Sequence, residues 1–295
     1  AVGADPGVGR PGADHHPAAG VADGPGAGRC QPDPVPLDDR AVPAVEHLDA
    51  SVGRLLAALD ERKLRDDTLV VFLSDNGGVG RQYDPAPFTT GTGKLDRLTA
   101  GSRGYPNDPL RGEKGTLYEG GVRVPGLVRW PGAAKPGSVC DAPVQAADWL
   151  PTLLDAAGAK PPDGHPVDGR SLAPLLAGRP LPERSLYWYA PLYDLRWGAT
   201  PAAAVRRGDH KLIEHFGDSF DDAGRYRPGR RLELYDLRAD PGETTDLAAK
   251  APGRVEALRG DLLAFLKSVG AEVPAANPRH DPARPFLETH KKPSD

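Results

Sequence analysis

The 295-residue sequence predicts an α/β unit followed by a small α+β module, and three observations carry that reading. A short apolar run, Leu69-Val70-Val71-Phe72-Leu73, stops abruptly at Ser74-Asp75-Asn76-Gly77-Gly78, as a buried strand does on entering a turn. Ahead of it, Val45, Leu48, Val52, Leu55, Leu56 and Leu59 recur at steps of three and four, which is one apolar face of a helix. Beyond residue 180 the pattern changes to short β-rich runs and one amphipathic helix. The expected organisation is a Gly/Pro-rich segment over 1–40, an α/β region over 41–180, an α+β subdomain over 181–270 and a tail over 271–295.

Residues 1–40 hold eight Gly, seven Pro, no aromatic residue and a single Leu, Leu37. Such a composition buries too little apolar surface to offset its ordering entropy, so disorder is expected. A linker-like tail or an out-of-frame reading of GC-rich DNA would both produce it. His15-His16 offer a metal pair in name, but a metal needs held geometry. Asp38 and Asp39 then give N-terminal signals for a helix over about 41–62. His47, on its polar side, reads as a solvated residue rather than a base.

Strand 69–73 follows. The polar stretch 81–107, with Tyr83, Phe88 and Tyr105 among its glycines, is long enough to suggest a functional loop framing substrate access. A second strand is expected within 122–130, restricted by Pro125. A helix starts near Asp148 with Pro151 in its first turn and stops at Gly158. After an aromatic run over 186–193, strands are expected over 203–207 and 211–216, joined at Gly208-Asp209, and over 232–237. Asp240-Pro241-Gly242-Glu243 reads as a turn. Val255, Leu258, Leu262, Leu263 and Leu266 mark a closing helix over 252–269.

The chemistry gathers at the end of the first strand. Ligands of open α/β sheets collect at the carboxyl ends of strands. Asp75 and Asn76 stand at such an end and offer a carboxylate and an amide carbonyl, hard oxygens suited to Ca²⁺ or Mg²⁺. Lys114 lies between glycines in Leu110-Arg111-Gly112-Glu113-Lys114-Gly115, where a compact ammonium could reach an anion. Arg111 and Arg123 are further candidate anion contacts, or braces to carboxylates such as Glu119. In plainer terms, a β-turn accounts for 75–78 and a solvated surface for Glu113-Lys114.

Ser74-Asp75-Asn76-Gly77-Gly78 followed by Leu110-Arg111-Gly112-Glu113-Lys114-Gly115-Thr116-Leu117-Tyr118-Glu119-Gly120-Gly121-Val122-Arg123-Val124-Pro125 resembles the C-terminal half of sulfatases of the arylsulfatase type, in the alkaline phosphatase superfamily. Leu234-Tyr235-Asp236-Leu237 with Asp240-Pro241-Gly242-Glu243 resembles their C-terminal subdomain. The resemblance spans roughly 41–275. It implies a partial alkaline-phosphatase-like sheet with helices plus the small α+β subdomain. It also implies that Asp75 and Asn76 are two ligands of an active-site Ca²⁺ (with Mg²⁺ as the other hard cation to consider), that Lys114 grips the substrate sulfate, and that the substrate is a small-molecule or carbohydrate sulfate ester.

The family nucleophile comes from a Cys or Ser in a C/S-x-P-S-R signature, converted to formylglycine. Cys30-Gln31-Pro32-Asp33-Pro34 lacks the following Ser and Arg, and Cys140-Asp141-Ala142-Pro143 fails as well. The expectation is therefore a sulfuric ester hydrolase fragment without its covalent group. An inactive anion-binding module, or a phospho- or phosphonate-monoester hydrolase of the same superfamily, are the alternatives. The absence of Met fits a fragment.

Other classes are disfavoured. A net charge of −4 and a pI near 6.1 give no basic footprint for nucleic acid. No apolar run approaches the ~20 residues of a bilayer span. No signal peptide opens the chain, although bacterial relatives are often exported. Oligomeric state is left open.

Overall fold

The computed structural model describes residues 41–79, 107–193, 199–220, 226–275 and 278. The expectations for 1–40, for the loop 81–107 up to its last residue, and for most of the tail lie outside them.

Helix α1 spans Ala41–Glu61, as its periodicity predicts. Its apolar stripe is not covered: among the described residues Val45, Leu48 and Leu55 are exposed, and Val52, Leu56 and Leu59 are half-buried. Strand β1, Val70–Leu73, pairs antiparallel with β2, Gly126–Arg129, with Val71 opposite Val128 and Phe72 opposite Leu127. The second strand is shorter than its sequence window. Val122, the first residue of that window, instead closes one helical turn, α2, Glu119–Val122, and Pro125 sits just before the strand.

A 3-10 turn, Ala146–Asp148, leads into α3, Trp149–Ala156, which ends at Gly158 with φ 63°. Asp148 is fully buried there; it accepts from the Gln145 and Arg170 backbone N–H groups (2.8 and 2.9 Å) and from the Arg184 guanidinium. A short helix, α4, Ala173–Leu176, follows.

The C-terminal region is a four-stranded antiparallel sheet in the order β3-β4-β5-β8, formed by Ser185–Ala190, Ala202–Arg207, His210–His215 and Arg231–Asp236. A hairpin of two-residue strands, β6 (Ser219–Phe220) and β7 (Tyr226–Arg227), interrupts it; no hydrophobic run announces so short a pair. Gly208, at φ 57°, makes the tight β4–β5 turn that a side chain would strain.

Side chains alternate across a sheet, and the two faces here have different partners. One face carries Ala203, Val205, Leu212 and Leu234 onto α5, Pro252–Ser268, through Leu258, Leu262 and Leu266. Pro252 suits the first turn of this helix, whose N–H needs no partner, and Lys267 suits its last turn. The other face carries Ala202, Ala204, Ile213 and Tyr235, and meets Tyr118 and Leu117 from the segment before α2. Lys211, Glu233 and His215 share that second face, by register and alternation. Among the described residues no helix is long and apolar enough to cross a membrane.

Candidate functional site

The site begins where β1 ends. The Asn76 N–H donates to Asp75 Oδ1 at 2.9 Å, and the Ser74 hydroxyl donates to the Asn76 carbonyl at 3.0 Å. The Asn76 amide donates through Nδ2 to the Gly77 carbonyl at 3.0 Å. Those bonds use one oxygen of Asp75 and the nitrogen of the Asn76 amide. Asp75 Oδ2 and Asn76 Oδ1 lie outside them. Asp75 is exposed and Asn76 half-buried, so both side chains border solvent.

Backbone bonds then bring Lys114 to this strand end. The Lys114 N–H donates to the Gly78 carbonyl at 3.3 Å, and the Gly77 N–H donates to the Gly121 carbonyl at 3.1 Å. Asn107 ties the same pair of segments. Its Oδ1 accepts from the Gly78 N–H at 2.9 Å, and its Nδ2 donates to the carbonyls of Gly78 and Gly112 at 3.0 and 3.1 Å. Sequence reasoning passed over Asn107; its position next to the aligned Pro109-Leu110-Arg111 run was the available signal.

The contact is close enough to dictate glycine. A Cβ built on Gly77 would stand 1.7 Å from the Gly120 carbonyl oxygen, and one on Gly121 would stand 2.2 Å from the Thr116 carbonyl oxygen. A side chain on Gly77 would push the two segments apart, and one on Gly121 would clash within its own segment.

The segment 111–122 is itself fastened to the C-terminal sheet. Arg111 donates from one guanidinium nitrogen to the Tyr235 hydroxyl (2.8 Å) and the Glu243 carbonyl (3.1 Å), and lies 4.0 Å over the Tyr118 ring. These contacts fit a bracing role for Arg111, with Tyr235 and Glu243 among its partners. Arg123 is exposed. Lys211 Nζ lies 2.9 Å from Glu119 Oε1 and 3.0 Å from Glu243 Oε1, and Arg206 is 3.6 Å from Glu119 Oε2. Lys211 and Glu243 are fully buried, and burial pushes the Glu243 carboxyl up from its ordinary value against the pull of Lys211. Glu113 is buried and Lys114 half-buried, so Glu113-Lys114 is not a solvated surface pair.

A second cluster lies beside the first. Glu233 accepts from the Tyr118 hydroxyl (2.6 Å), the Tyr235 hydroxyl (3.0 Å) and Arg231 (2.7 Å). Burial raises its carboxyl, but His215, Tyr118 and Arg231 together outweigh burial and hold it well below the usual range. His215 Nε2 is 3.7 Å from Glu233, and burial pushes the imidazole below its ordinary value against the pull of Glu233. Burial and the Glu233 charge push the Tyr118 and Tyr235 hydroxyls up.

Among the described residues no three His, Cys, Asp or Glu side chains converge as a metal cluster. Asp75 and Asn76 supply two hard oxygen donors, which fits part of the six to eight oxygens of a Ca²⁺ shell. His47 and His165 are exposed, and Cys140 is a free, exposed thiol.

Comparison with known proteins places the chain in a family. Residues 30–159 match the sulfatase family, and residues 112–266 match the family described as N-sulphoglucosamine sulphohydrolase, C-terminal. The chain is 36% identical to human arylsulfatase A over 217 residues, covering 70% of this chain and 38% of that protein. It is 35% identical to mouse steryl-sulfatase over 186 residues, covering 63% of this chain and 24% of that protein. It is also similar to the solved structure of BT4656 in complex with its substrate D-glucosamine-2-N,6-O-disulfate, with a TM-score of 0.53 and 25% identity, covering 77% of this chain and 39% of that one. The chain thus spans roughly a quarter to two fifths of the relatives it matches. The second of the two family matches covers more than half of the chain, and it takes in both the Lys114 segment and the sheet that braces it: the protein belongs to the sulfatase family.

Proposed function

We propose that this chain forms the sulfate-holding part of a sulfuric ester hydrolase, with Lys114 as the sulfate contact and Asp75 and Asn76 as oxygen ligands of a Ca²⁺ ion. The observation that carries this reading is the bond from the Lys114 N–H to the Gly78 carbonyl, two residues beyond Asn76, which sets the lysine segment against the acidic–amide pair. A sulfate ester is anionic, and charge grows on its oxygens as the alcohol departs. A fixed ammonium meets that charge without reorganising. A bound divalent cation supplies further charge neutralisation. Asp75 and Asn76 would hold that ion through hard oxygens, and Lys114 draws the sulfate to their edge of the sheet.

The substrate class is a small sulfate ester. That BT4656 takes a sulfated glucosamine supports a sugar sulfate as the first candidate. The formylglycine signature of the family does not occur within these 295 residues, so binding without turnover is the expected behaviour of this chain by itself. Titration with inorganic sulfate, with and without Ca²⁺, tests the reading. Lys114→Ala should weaken sulfate binding by about 10- to 100-fold, the worth of one charge-assisted contact. Asp75→Asn with Asn76→Ala should abolish the Ca²⁺ dependence. Sulfate binding indifferent to Lys114 would overturn the assignment, and turnover of an aryl sulfate by this chain would overturn the expectation of binding alone.

A further inference from the structure

We infer that Glu243 is a positioning residue for Lys114: it holds both ends of the 111–119 segment from the C-terminal sheet and so sets where the lysine stands. The inference rests on the sulfate-binding reading of Lys114.

Glu243 reaches that segment twice. Its backbone carbonyl accepts from Arg111 Nη1 at 3.1 Å, at the start of the segment. Its carboxylate Oε2 accepts from the Glu119 N–H at 2.6 Å, at the end. Arg111 is joined across the base to Gly120, the residue after Glu119, whose N–H donates to the Arg111 carbonyl at 2.7 Å. Lys114 lies on the loop closed by these bonds. The loop in turn holds the metal-side strand through Lys114 to Gly78 and Gly77 to Gly121. One residue thus sits at the root of both contacts that define the site.

The rest of Glu243 is built to serve that grip. It is fully buried, its φ is +51°, and Lys211 Nζ stands 3.0 Å from its second oxygen. A non-glycine residue in the left-handed region costs of order 1 kcal/mol and persists where its surroundings over-determine it. Buried charges are a poor way to stabilise an interface, since apolar residues of similar volume do as well or better. The opposite face of the same sheet packs Leu212 and Leu234 on α5 and carries one ion pair there, buried Glu214 with Arg259 at 2.8 Å. The face toward the site also buries Ala204, Ile213 and Tyr235, and Lys211 joins it to Glu119 and Glu243 beyond the strands; what this charged cluster adds is a single register for the segment it holds.

Amide hydrogen exchange and inorganic sulfate titration on the full chain test this. Glu243→Ala should speed exchange at Glu119, Gly120 and Lys114 and weaken sulfate binding, each by about tenfold, the equivalent of one net hydrogen bond. Amides of the β4–β5 ladder should keep their protection. Glu243→Gln, which keeps an acceptor for the Glu119 N–H, should recover most of both effects. A structural role alone would loosen the sheet and the loop together, and that result overturns the inference. Should Glu243→Ala fail to fold, Glu243→Asp, which keeps a charge near Lys211 but draws the carboxylate back from the Glu119 N–H, should loosen the same loop amides selectively; a uniform loss, or no change, overturns the inference. Lys114→Ala separates the two readings. If it binds sulfate like the wild type, the lysine assignment fails. If it loses sulfate while Glu243→Ala binds normally, the assignment stands and the positioning role fails.

Discussion

Replacing Lys211 by Met removes one charge from a wholly buried cluster while nearly keeping its volume. The ammonium it deletes lies 2.9 Å from Glu119 and 3.0 Å from Glu243, with no solvent exposure. Breaking a buried pair by removing one partner costs about 3–5 kcal/mol, because the other charge stays uncompensated. Arg206, 3.6 Å from Glu119, offsets part of that for one carboxylate. The expected loss is therefore at the lower end, about 3–4 kcal/mol, against a total stability of about 5–15 kcal/mol. In a chain of this size that lowers Tm by about 6–16 °C. Urea unfolding followed by circular dichroism measures it. Its pH dependence is the sharper test. Glu243 is already raised by burial, and Lys211 is what pulls it down, so the variant raises it further. A carboxyl whose folded value exceeds its unfolded value favours the fold below about pH 4.3 and loses that contribution as pH climbs through the folded value. The deficit of Lys211→Met should thus be largest at pH 7 and shrink on acidification to pH 5. A loss under about 1 kcal/mol at pH 7, or a deficit that grows on acidification, would refute the assignment of Lys211 as the counter-charge of this cluster.

Other perturbations probe the remaining contacts. His215, facing Glu233 and Arg231 with Tyr118 and Arg111 behind them, is pushed below its ordinary value by burial. Stability should accordingly fall with pH below about 6.5, by up to about 1.4 kcal/mol per pH unit, and His215→Gln should flatten that fall between pH 7 and 5 in urea midpoints. Gly77→Ala sets a methyl 1.7 Å from the Gly120 carbonyl oxygen, so a loss of about 1–3 kcal/mol and of sulfate binding is expected together. Gly53→Ala, in α1 with nothing within 4 Å of the added carbon, should instead raise stability by about 0.5–1 kcal/mol in the same assay.

Much of the fold is legible in the residue order. Helices α1, α3 and α5 follow their periodicity and their Gly and Pro boundaries, and β4, β5 and β8 lie within a residue or so of their apolar runs. Asp75, Asn76 and Lys114 were picked out as candidates through the resemblance of their flanking residues, and the bond from Lys114 to Gly78 brings their segments together. The helical turn α2 was not, because its apolar neighbours read as the start of a strand. Nor was the exposure of α1, since periodicity shows that a face is apolar without showing what covers it.

Short-range pattern therefore determined which segments turn, extend or coil, because those preferences are settled within a few residues by backbone sterics and side-chain alternation. The bracing of the site was settled only in three dimensions. Lys211 stands 92 positions from Glu119, and Glu243 stands 124 from the amide it accepts. In His210–His215 polar and apolar residues occur on both faces, so alternation could not say which face would be buried under which charge. That choice needed the sheet, the segment before α2 and the turn after β8 to meet, and the cost of burying an unpaired charge then selected the partners.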